Sequence, residues 1–250
     1  FLIILLPPIS TPFSTLFPYT TLFLSIFDTD CVTATLERFH SIVCEYGFTD
    51  YYYARTNRLG ASDGNSSLEE YRVWDPDWLE IYEAQRLTRN DFVRNSVDSG
   101  SRLIKFRGPG RPLSKNEFEF RKLAESYNRL NGLALPIWGN RGVEAGFSVT
   151  GASKEPSQEQ TAVFLAAAMP THFQITALSM IDVASQYDLK LRELQLLRLL
   201  VSGRSMVQIA VYLDTSEQWI RKSFLQMRRK LGVQSNEELV YRALKNGLIQ

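Results

Sequence analysis

The sequence predicts an α+β protein in which an N-terminal α-β-α sandwich around an antiparallel sheet precedes a C-terminal all-α four-helix domain with a helix-turn-helix. The first observation is the Gly-Asn-Arg-Gly turn at 139–142 between two strand-like segments, which is a strong signal for an antiparallel hairpin. The second is that amphipathic helical segments lie on both sides of these strands. The third is that residues 188–250 divide into four short helical segments joined by tight turns.

The N-terminal part of the sandwich is predicted from periodicity and residue type. Val32, Leu36, Phe39 and Val43 recur at helical spacing, and the three consecutive tyrosines at 51–53 favour a strand. The predicted elements are a helix at 28–46, a strand at 49–55, a second strand ending near Trp74, a helix at 76–86 and a short strand at 103–106.

The second half of the sandwich is predicted from caps and breakers. Ser114 and Glu117 have the spacing of a capping box, which predicts a helix at 114–130. Proline lacks the backbone donor that a helix interior needs, so Pro170 predicts an interruption. The remaining elements are strands at 132–138 and 143–150 and a long helical region from Pro156 to this interruption.

The chain therefore divides into four regions. Residues 28–170 form the sandwich, 171–187 a linker region and 188–250 the helical domain. About 160 residues ahead of the helical domain are enough for one further domain with its own core. The chain lacks a Gly-rich phosphate loop followed by Lys and Ser or Thr, which excludes a nucleotide-hydrolysing domain of that type.

The first 27 residues form the fourth region and differ in composition from the rest. They contain no charged residue and four prolines. Residues 1–25 resemble the conceptual translation of sequencing-adapter DNA, so we interpret them as non-native and residues 1–27 as non-native or disordered. The alternative is a hydrophobic N-terminal arm.

The third helix of the C-terminal domain has one apolar face and one basic face. Thr215 and Gln218 have capping-box spacing, which predicts that the helix begins at this point. The residues at helical spacing that predict its buried stripe are Ile220, Phe224, Met227 and Leu231. The candidate DNA-contact residues are Gln218, Arg221, Lys222, Leu225 and Arg229 on the opposite face, with Arg204 upstream. Arg and Gln can bond base edges as forks, and Lys and Arg neutralise phosphates.

The segments around this helix complete a helix-turn-helix. A short amphipathic helix at 205–213 precedes it, and a three-residue turn through Asp214 joins the two. Gly203 suits the left-handed residue that ends the helix before. Ser235 and Glu238 predict the start of the last helix, and Gly247 its end.

Charge is distributed unevenly along the chain. Residues 188–250 hold 11 Lys+Arg and 6 Asp+Glu, a net charge of +5, whereas the other residues hold 17 and 21, a net charge of −4. A basic domain attached to a mildly acidic one is typical of a nucleic-acid-binding protein. Taken alone, the basic run at 228–230 could be a solvated helix face, but together with the turn spacing and the caps it predicts DNA binding.

Residues 187–250 resemble the LuxR/GerE type of helix-turn-helix. Glu193, Leu197 and Gly203 stand at the spacing of its constant positions, as do the pairs Ile209-Ala210 and Lys230-Leu231. The resemblance implies that Arg221 occupies a position often used for DNA contact.

Three residues in this region depart from the family pattern. Lys190 replaces the usual Ser/Thr cap, although Asp188 could serve as the cap, and Asp214 replaces a turn Gly. Trp219 stands where a small Ser or Thr is usual. Because of these departures, the operator sequence does not carry over from relatives.

The N-terminal region is similar to the ligand domain of LuxR-type quorum-sensing receptors, which bind N-acyl-homoserine lactones. The resemblance rests on Trp78-x-x-x-Tyr82, on Asp91 nine residues later, and on Gly132 before Leu-Ala-Leu-Pro136. It implies that the Trp78 indole donates to the lactone carbonyl, that Asp91 accepts from the ligand amide and that Tyr82 walls the pocket. Taken singly, Asp91 could be a helix cap and Trp78 a core residue.

Departures from the receptor pattern predict altered or relaxed ligand choice. Phe92 replaces the Pro that usually follows the Asp, and Phe106 replaces a second Trp. Trp74 stands where a Tyr commonly bonds the acyl carbonyl, and Ser148 where a small hydroxyl residue reaches the acyl chain in some relatives. The six candidate ligand-binding residues are therefore Trp74, Trp78, Tyr82, Asp91, Phe106 and Ser148.

The resemblance implies a ligand-responsive transcriptional regulator rather than an enzyme. The expected partners are a small-molecule signal, a two-fold double-stranded DNA site, RNA polymerase and a second copy of the chain. The alternatives are an orphan receptor for a non-lactone signal and an inhibitory heterodimerising member of the family. We expect no cofactor, no membrane association and a cytoplasmic location.

Cysteine and histidine usage predicts neither disulfide nor metal chemistry. Cys31 and Cys44 lie on one predicted helix and cannot easily bridge each other there, so reduced thiols are expected. His40 and His172 form no metal-ligand cluster with them, and no catalytic constellation is evident.

Overall fold

A computed structural model describes residues 20–57, 67–99, 102–139 and 142–249. These residues fall into two compact units. The first comprises the described residues up to Arg55 together with Glu69–Ile175, and the second contains those from Thr176 onward. The sequence placed the end of the sandwich at 170.

The first unit is built on a five-stranded sheet. Its elements are α1 (Thr20–Phe27), α2 (Val32–Glu45), β1 (Asp50–Asn57), β2 (Ser67–Val73), α3 (Pro76–Ala84), α4 (Phe92–Asp98), β3 (Ile104–Lys105), α5 (Lys115–Ser126), β4 (Leu133–Gly139), β5 (Gly142–Thr150) and most of α6 (Gln158–Gln186). The strand order is β2-β1-β5-β4-β3, and the pairs β1–β5, β5–β4 and β4–β3 are antiparallel. The predicted hairpin is therefore confirmed as the centre of the sheet.

Each face of the sheet is covered by helices. Successive strand residues point to opposite faces, so Phe147 and Val149 enter one core while Ser148 faces the other. The first core joins these strands to α1, α2 and α6, and the second lies under α3, α4 and α5. The α-β-α sandwich is thus confirmed, because each face of the sheet buries its own set of apolar side chains.

The N-terminal helix differs from the prediction. The sequence predicted one helix at 28–46, but α2 begins only at Val32, where the Cys31 thiol accepts from the Ala34 amide. Residues 20–27 form α1, and Ile26 is fully buried in the first core. The expectation of disorder is wrong for these residues. Residues 1–19 lie outside the described residues, and the interpretation of 1–25 as non-native stays a prediction.

The long helix α6 runs through Pro170 without a break, so the predicted interruption is wrong. Residues 171–186 of the predicted linker are helical as well. Tertiary packing outweighs the missing donor, since Ala167, Ala168 and Ile175 are fully buried around this point. The helix is also long and apolar enough to cross a membrane by length and composition alone, a test that core helices of soluble proteins pass as well.

The second unit contains four further helices, α7 (Leu191–Val201), α8 (Met206–Tyr212), α9 (Glu217–Leu231) and α10 (Asn236–Lys245). The predicted stripe of α9 is confirmed as buried, with Ile220, Phe224 and Met227 at most 1% exposed. Gly203 and Gly247 take the left-handed conformation predicted for helix ends, with φ of 81° and 69°. The four-helix domain is confirmed.

Two predicted caps of this unit are wrong. Helix α9 is capped by Ser216, whose hydroxyl accepts from the Trp219 amide, because the Thr215 amide instead bonds Ala210 and closes α8. Asp188 does not cap α7. It takes a left-handed φ of 51° at the end of α6, and the Glu193 carboxylate accepts from the Lys190 amide at the start of α7.

Candidate ligand pocket and DNA-binding surface

The floor of the candidate pocket is a row of four residues across the sheet. Ile104 pairs with Ala134, Ala134 with Ser148, and Ser148 with Tyr52. Directly paired residues of antiparallel strands point to the same face, so the row lies on the face covered by α3, α4 and α5. Its two central side chains, Ala134 and Ser148, are small and its two end side chains, Ile104 and Tyr52, are large. We call the low stretch of the floor over Ala134 and Ser148 the trough.

The roof above this floor is aromatic. Trp78 and Tyr82 lie one turn apart on α3 and are both buried, with ring centroids 5.8 Å apart. Phe120 on α5 contacts both rings at 5.9 Å and 6.2 Å, and Phe92 on α4 at 5.9 Å. The spacing of four residues on α3 therefore brings Trp78 and Tyr82 into one cluster, as the sequence predicted.

Asp91 is a helix cap and a neighbour of the aromatic cluster at the same time. Its Oδ1 accepts from the amides of Val93 (2.9 Å) and Arg94 (3.2 Å) at the start of α4. Its Oδ2 accepts from the Tyr82 hydroxyl at 3.0 Å. Burial raises the pKa of the Asp91 carboxyl, and the hydrogen bonds from Arg94, Tyr82 and Val93 oppose that rise. The sequence allowed Asp91 to be either a helix cap or a residue beside Trp78 and Tyr82, and the two positions are compatible, because each carboxylate oxygen makes its own contacts.

Trp78 presents a hydrogen-bond donor within this cluster. Its indole N–H has no acceptor among the described residues, although its ring packs against Tyr82, Phe120 and Tyr127. The N–H itself is not among the fully buried unpaired side-chain atoms of the described residues, where Thr176 Oγ1 alone meets that description. Trp78 as a whole is 5% exposed, so this donor belongs to a largely buried ring.

Trp74 and Phe106 stand at opposite sides of the cluster. The Trp74 ring lies 5.7 Å from Tyr52 and 5.0 Å from Tyr82. Phe106 covers Gly132, where an added Cβ would lie 2.6 Å from both the Phe106 ring and the Val149 carbonyl oxygen. Only glycine fits at this position, which is a physical reason for the Gly132 match.

The sequence did not predict the open cleft beside Trp74. It has a volume of about 460 Å³ and is lined by Thr49, Asp50, Trp74, Asp75, Tyr127, Asn128, Arg129 and Gly151. At its base the buried side chains of Arg129 and Asp50 form an ion pair at 2.6 Å. Trp74 alone of the six candidate ligand-binding residues lines this cleft, and the others lie in the closely packed roof and floor.

The candidate DNA-binding surface is open. Gln218, Arg221, Lys222, Leu225 and Arg229 are all exposed on one side of α9, and Arg204 is exposed before α8. Arg221 Nε donates to Glu217 at 2.8 Å, and both side chains are largely solvated. An ion pair this exposed contributes little to stability.

Two aromatic contacts on this surface were not predicted. The Arg192 guanidinium lies 4.9 Å from the Trp219 ring, and that of Arg204 lies 4.6 Å from the Tyr212 ring. The sequence marked Trp219 as unusual, but it gave no indication that Arg192 of α7 would lie beside it. That contact depends on the packing of α7 against α9. The pair adds a positive charge along the flank of α9.

The end of α9 is tied to the start of α7. Lys230 Nζ donates to Glu193 at 2.9 Å and lies 3.5 Å from the Asp188 carboxylate. Burial lowers the pKa of Lys230, but the hydrogen bonds and charges of Glu193 and Asp188 together outweigh it and raise the pKa above its ordinary value. Two family-constant positions, Glu193 and Lys230, therefore meet and orient α9.

The comparisons identify the class of protein that this fold and these surfaces define. Residues 32–175 match the family described as "Autoinducer binding domain", and residues 188–243 match the family described as "Bacterial regulatory proteins, luxR family". The chain belongs to the LuxR family of quorum-sensing transcriptional regulators, with an autoinducer-binding domain and a helix-turn-helix DNA-binding domain. The family consists of transcriptional regulators and not of enzymes.

The chain is similar to two proteins, RpaR and SdiA. The HTH-type quorum sensing-dependent transcriptional regulator RpaR of Rhodopseudomonas palustris is 23% identical over 222 residues, which cover 87% of this chain and 89% of RpaR. The crystal structure of Escherichia coli SdiA matches with a TM-score of 0.54 at 14% identity, covering 94% of this chain and 99% of SdiA. SdiA in complex with octanoyl-rac-glycerol matches with a TM-score of 0.53 at 12% identity, covering 94% and 97%.

Proposed function

We propose that this regulator binds an N-acyl-homoserine lactone between the aromatic roof and the small-residue floor of its first unit. Trp78 donates to the lactone carbonyl, Asp91 accepts from the ligand amide and Ser148 lies beside the acyl chain. The observation that carries the proposal is that Trp78, whose N–H has no acceptor among the described residues, and the partly buried Asp91 carboxylate both contact Tyr82 on the face of the sheet that holds Ala134 and Ser148. A mostly apolar cavity with a few placed polar groups is the usual design for a small amphiphile.

Ligand binding then couples to folding. Each buried CH₂ of an acyl chain contributes about 0.8 kcal/mol, so a chain of several carbons contributes a sizeable part of a domain's margin of stability. The rings of Tyr82 and Phe120 are in edge contact, with centroids 6.2 Å apart, so this part of the roof must rearrange to admit the chain. The bound signal therefore replaces part of the aromatic packing in the core of the first unit, and by mass action it stabilises the folded form that contains it.

The output is DNA binding by a dimer. Two copies would place their α9 helices about one DNA turn apart on a two-fold site. Arg221 is our choice for base readout, with Gln218 and Leu225 beside it, and Lys222, Arg229 and Arg204 neutralise phosphates. We propose RNA polymerase contact, a cytoplasmic location and no cofactor.

A panel of lactones tests the proposal. Purified protein is heated with and without each lactone, and its affinity for a selected DNA site is measured under the same conditions. We expect a higher melting temperature and tighter DNA binding with at least one lactone. Trp78→Phe removes the indole donor and weakens both effects, whereas Trp138→Phe alters an exposed tryptophan of the same unit and leaves both unchanged. Identical melting and identical DNA affinity across the panel would refute the proposal.

A non-lactone acyl compound is the second candidate. SdiA, which shares the fold, is found in complex with octanoyl-rac-glycerol. In this chain Trp74 stands where a Tyr is usual, and its indole N–H can donate a hydrogen bond but cannot accept one. This difference is compatible with a ligand whose polar head is not a homoserine lactone. Monoacylglycerols in the same panel distinguish the two classes. An inhibitory heterodimerising role is disfavoured, since the basic face of α9 is complete.

A further inference from the structure

Tyr52 closes one end of the trough on the sheet floor. It pairs directly with Ser148 across β1 and β5, so its ring stands in the same row as the two small residues Ala134 and Ser148. The ring packs against Trp74 with centroids 5.7 Å apart. An acyl chain that lies over Ser148 and runs toward β1 therefore meets an aromatic side chain.

The Tyr52 ring is held in this place by polar partners. Its hydroxyl donates to Glu70 at 2.8 Å, and Glu70 lies 3.6 Å from the Arg94 guanidinium. A longer alkyl chain would have to break the Tyr52–Glu70 hydrogen bond and then lie beside a carboxylate and a guanidinium. Neither step gains hydrophobic free energy, because the methylenes displace an aromatic ring rather than water.

The other small floor residues do not extend the trough. Gly146 follows Ser148 on this face, but Val97 of α4 covers it, and an added Cβ at Gly146 would lie 3.0 Å from Val97 Cγ1. Gly132 is covered in the same way by Phe106. The open cleft beside Trp74 has room, but the Asp50–Arg129 ion pair at its base does not favour an alkyl chain.

We propose that Tyr52 limits the acyl length of the signal, so that this regulator takes short-chain acyl lactones and rejects long-chain ones. The inference rests on the proposed function, because it concerns the same pocket. It assigns Tyr52 a specificity role beyond the six candidate ligand-binding residues. Tyr52→Val removes the ring, which opens the trough toward Glu70, and valine still favours a strand at this position.

The experiment measures dissociation constants of butanoyl, hexanoyl, octanoyl, decanoyl and dodecanoyl homoserine lactones for the full-length chain and for Tyr52→Val. We expect the wild-type affinity to peak at butanoyl or hexanoyl and to fall by at least tenfold at dodecanoyl. In Tyr52→Val we expect the peak to move to longer chains, with a gain of roughly fourfold for each methylene that the opened trough accepts. Tyr52→Phe keeps the ring against Trp74 but loses the hydrogen bond to Glu70, so we expect its affinity still to peak at a short chain, with a smaller loss at dodecanoyl than in the wild type.

The outcomes separate the two proposals. A wild-type preference for decanoyl or dodecanoyl overturns the inference and leaves the proposed function standing. An unchanged chain-length profile in Tyr52→Val also overturns it, since another residue then sets the limit. If Tyr52→Val does not fold, Tyr52→Leu repeats the test with a side chain that packs more fully. Failure of every lactone to bind either protein overturns the proposed function, and the inference with it.

Discussion

The two recognition surfaces of this regulator are built in opposite ways. The candidate ligand residues come from α3, the start of α4 and the strands, and they form part of a hydrophobic core. The candidate DNA residues lie on one helix and face solvent, while the opposite side of that helix forms the core. We therefore expect changes at the candidate ligand residues to alter the stability of the first unit, and changes at the candidate DNA residues to leave the stability of the second unit unaltered.

The largest expected effect is a loss of stability when a residue of the aromatic roof is truncated, and it tests whether the roof is part of the hydrophobic core. Phe92 is fully buried in the roof, and Phe92→Ala should lower the free energy of unfolding by about 3–5 kcal/mol. Phe118→Ala on α5 is the matched control, because Phe118 is 48% exposed, and it should change stability by only about 0.5 kcal/mol. Urea unfolding of both variants provides the measurement. Equal losses would show that the roof is not a core.

The next effect concerns the other core of the first unit. Burial lowers the pKa of His172 to about 4, with Arg55 contributing, and His172 Nδ1 lies 3.0 Å from the Tyr53 hydroxyl. The unfolded chain takes up a proton near pH 6.5 and the folded chain only near pH 4, so stability falls as pH drops through this window. The loss should reach about 3 kcal/mol at most.

Unfolding free energies of the wild type and His172→Gln between pH 7 and pH 4 measure this effect. The substitution should flatten the wild-type slope in that window, whatever it does to stability at pH 7. A slope that persists in His172→Gln would assign the pH dependence to other groups.

The third effect tests whether DNA recognition is separable from stability. Arg221→Ala should weaken binding to a selected operator by about 1–3 kcal/mol, or roughly fivefold to 150-fold, with an unchanged melting temperature. Arg242→Ala on α10 removes an exposed arginine outside the α9 surface and serves as the matched control. Fluorescence anisotropy at two salt concentrations separates lost base contact from lost charge. An equal loss for both variants would leave Arg221 without a specific role.

The smallest effect concerns the start of α9. Ser216→Ala should cost about 1 kcal/mol of stability, because the Trp219 amide loses its acceptor. Thr215→Ala should cost less, because only the backbone of Thr215 is used in this turn. Thermal unfolding of the two variants compares them. A larger loss of stability for Thr215→Ala than for Ser216→Ala would favour Thr215 as the cap of α9, as the sequence predicted.

The caps of α9 and α7 and the continuity of α6 differ from the sequence predictions because neighbouring residues compete for the same local role. A pattern in the sequence shows which residues are capable of the role, but not which one takes it. Thr215 and Ser216 are both capable caps, and the choice between them depends on which amide closes α8. Asp188 was a plausible cap for α7, but its backbone ends α6 instead. Pro170 forbids one hydrogen bond of a helix, yet the burial of its neighbours keeps α6 continuous. In each case tertiary packing outweighed a local preference.

The sequence by itself determined the class of each domain, the buried stripe of α9 and the hairpin at the centre of the sheet. These features depend on periodicities and turns that act over a few residues. The tertiary structure alone decided that Ala134, Ser148 and Tyr52 share one row, that Arg192 reaches Trp219, and that the Tyr82 hydroxyl joins the Asp91 cap. Strand register and helix packing bring such residues together from distant parts of the chain, and no short-range pattern specifies them.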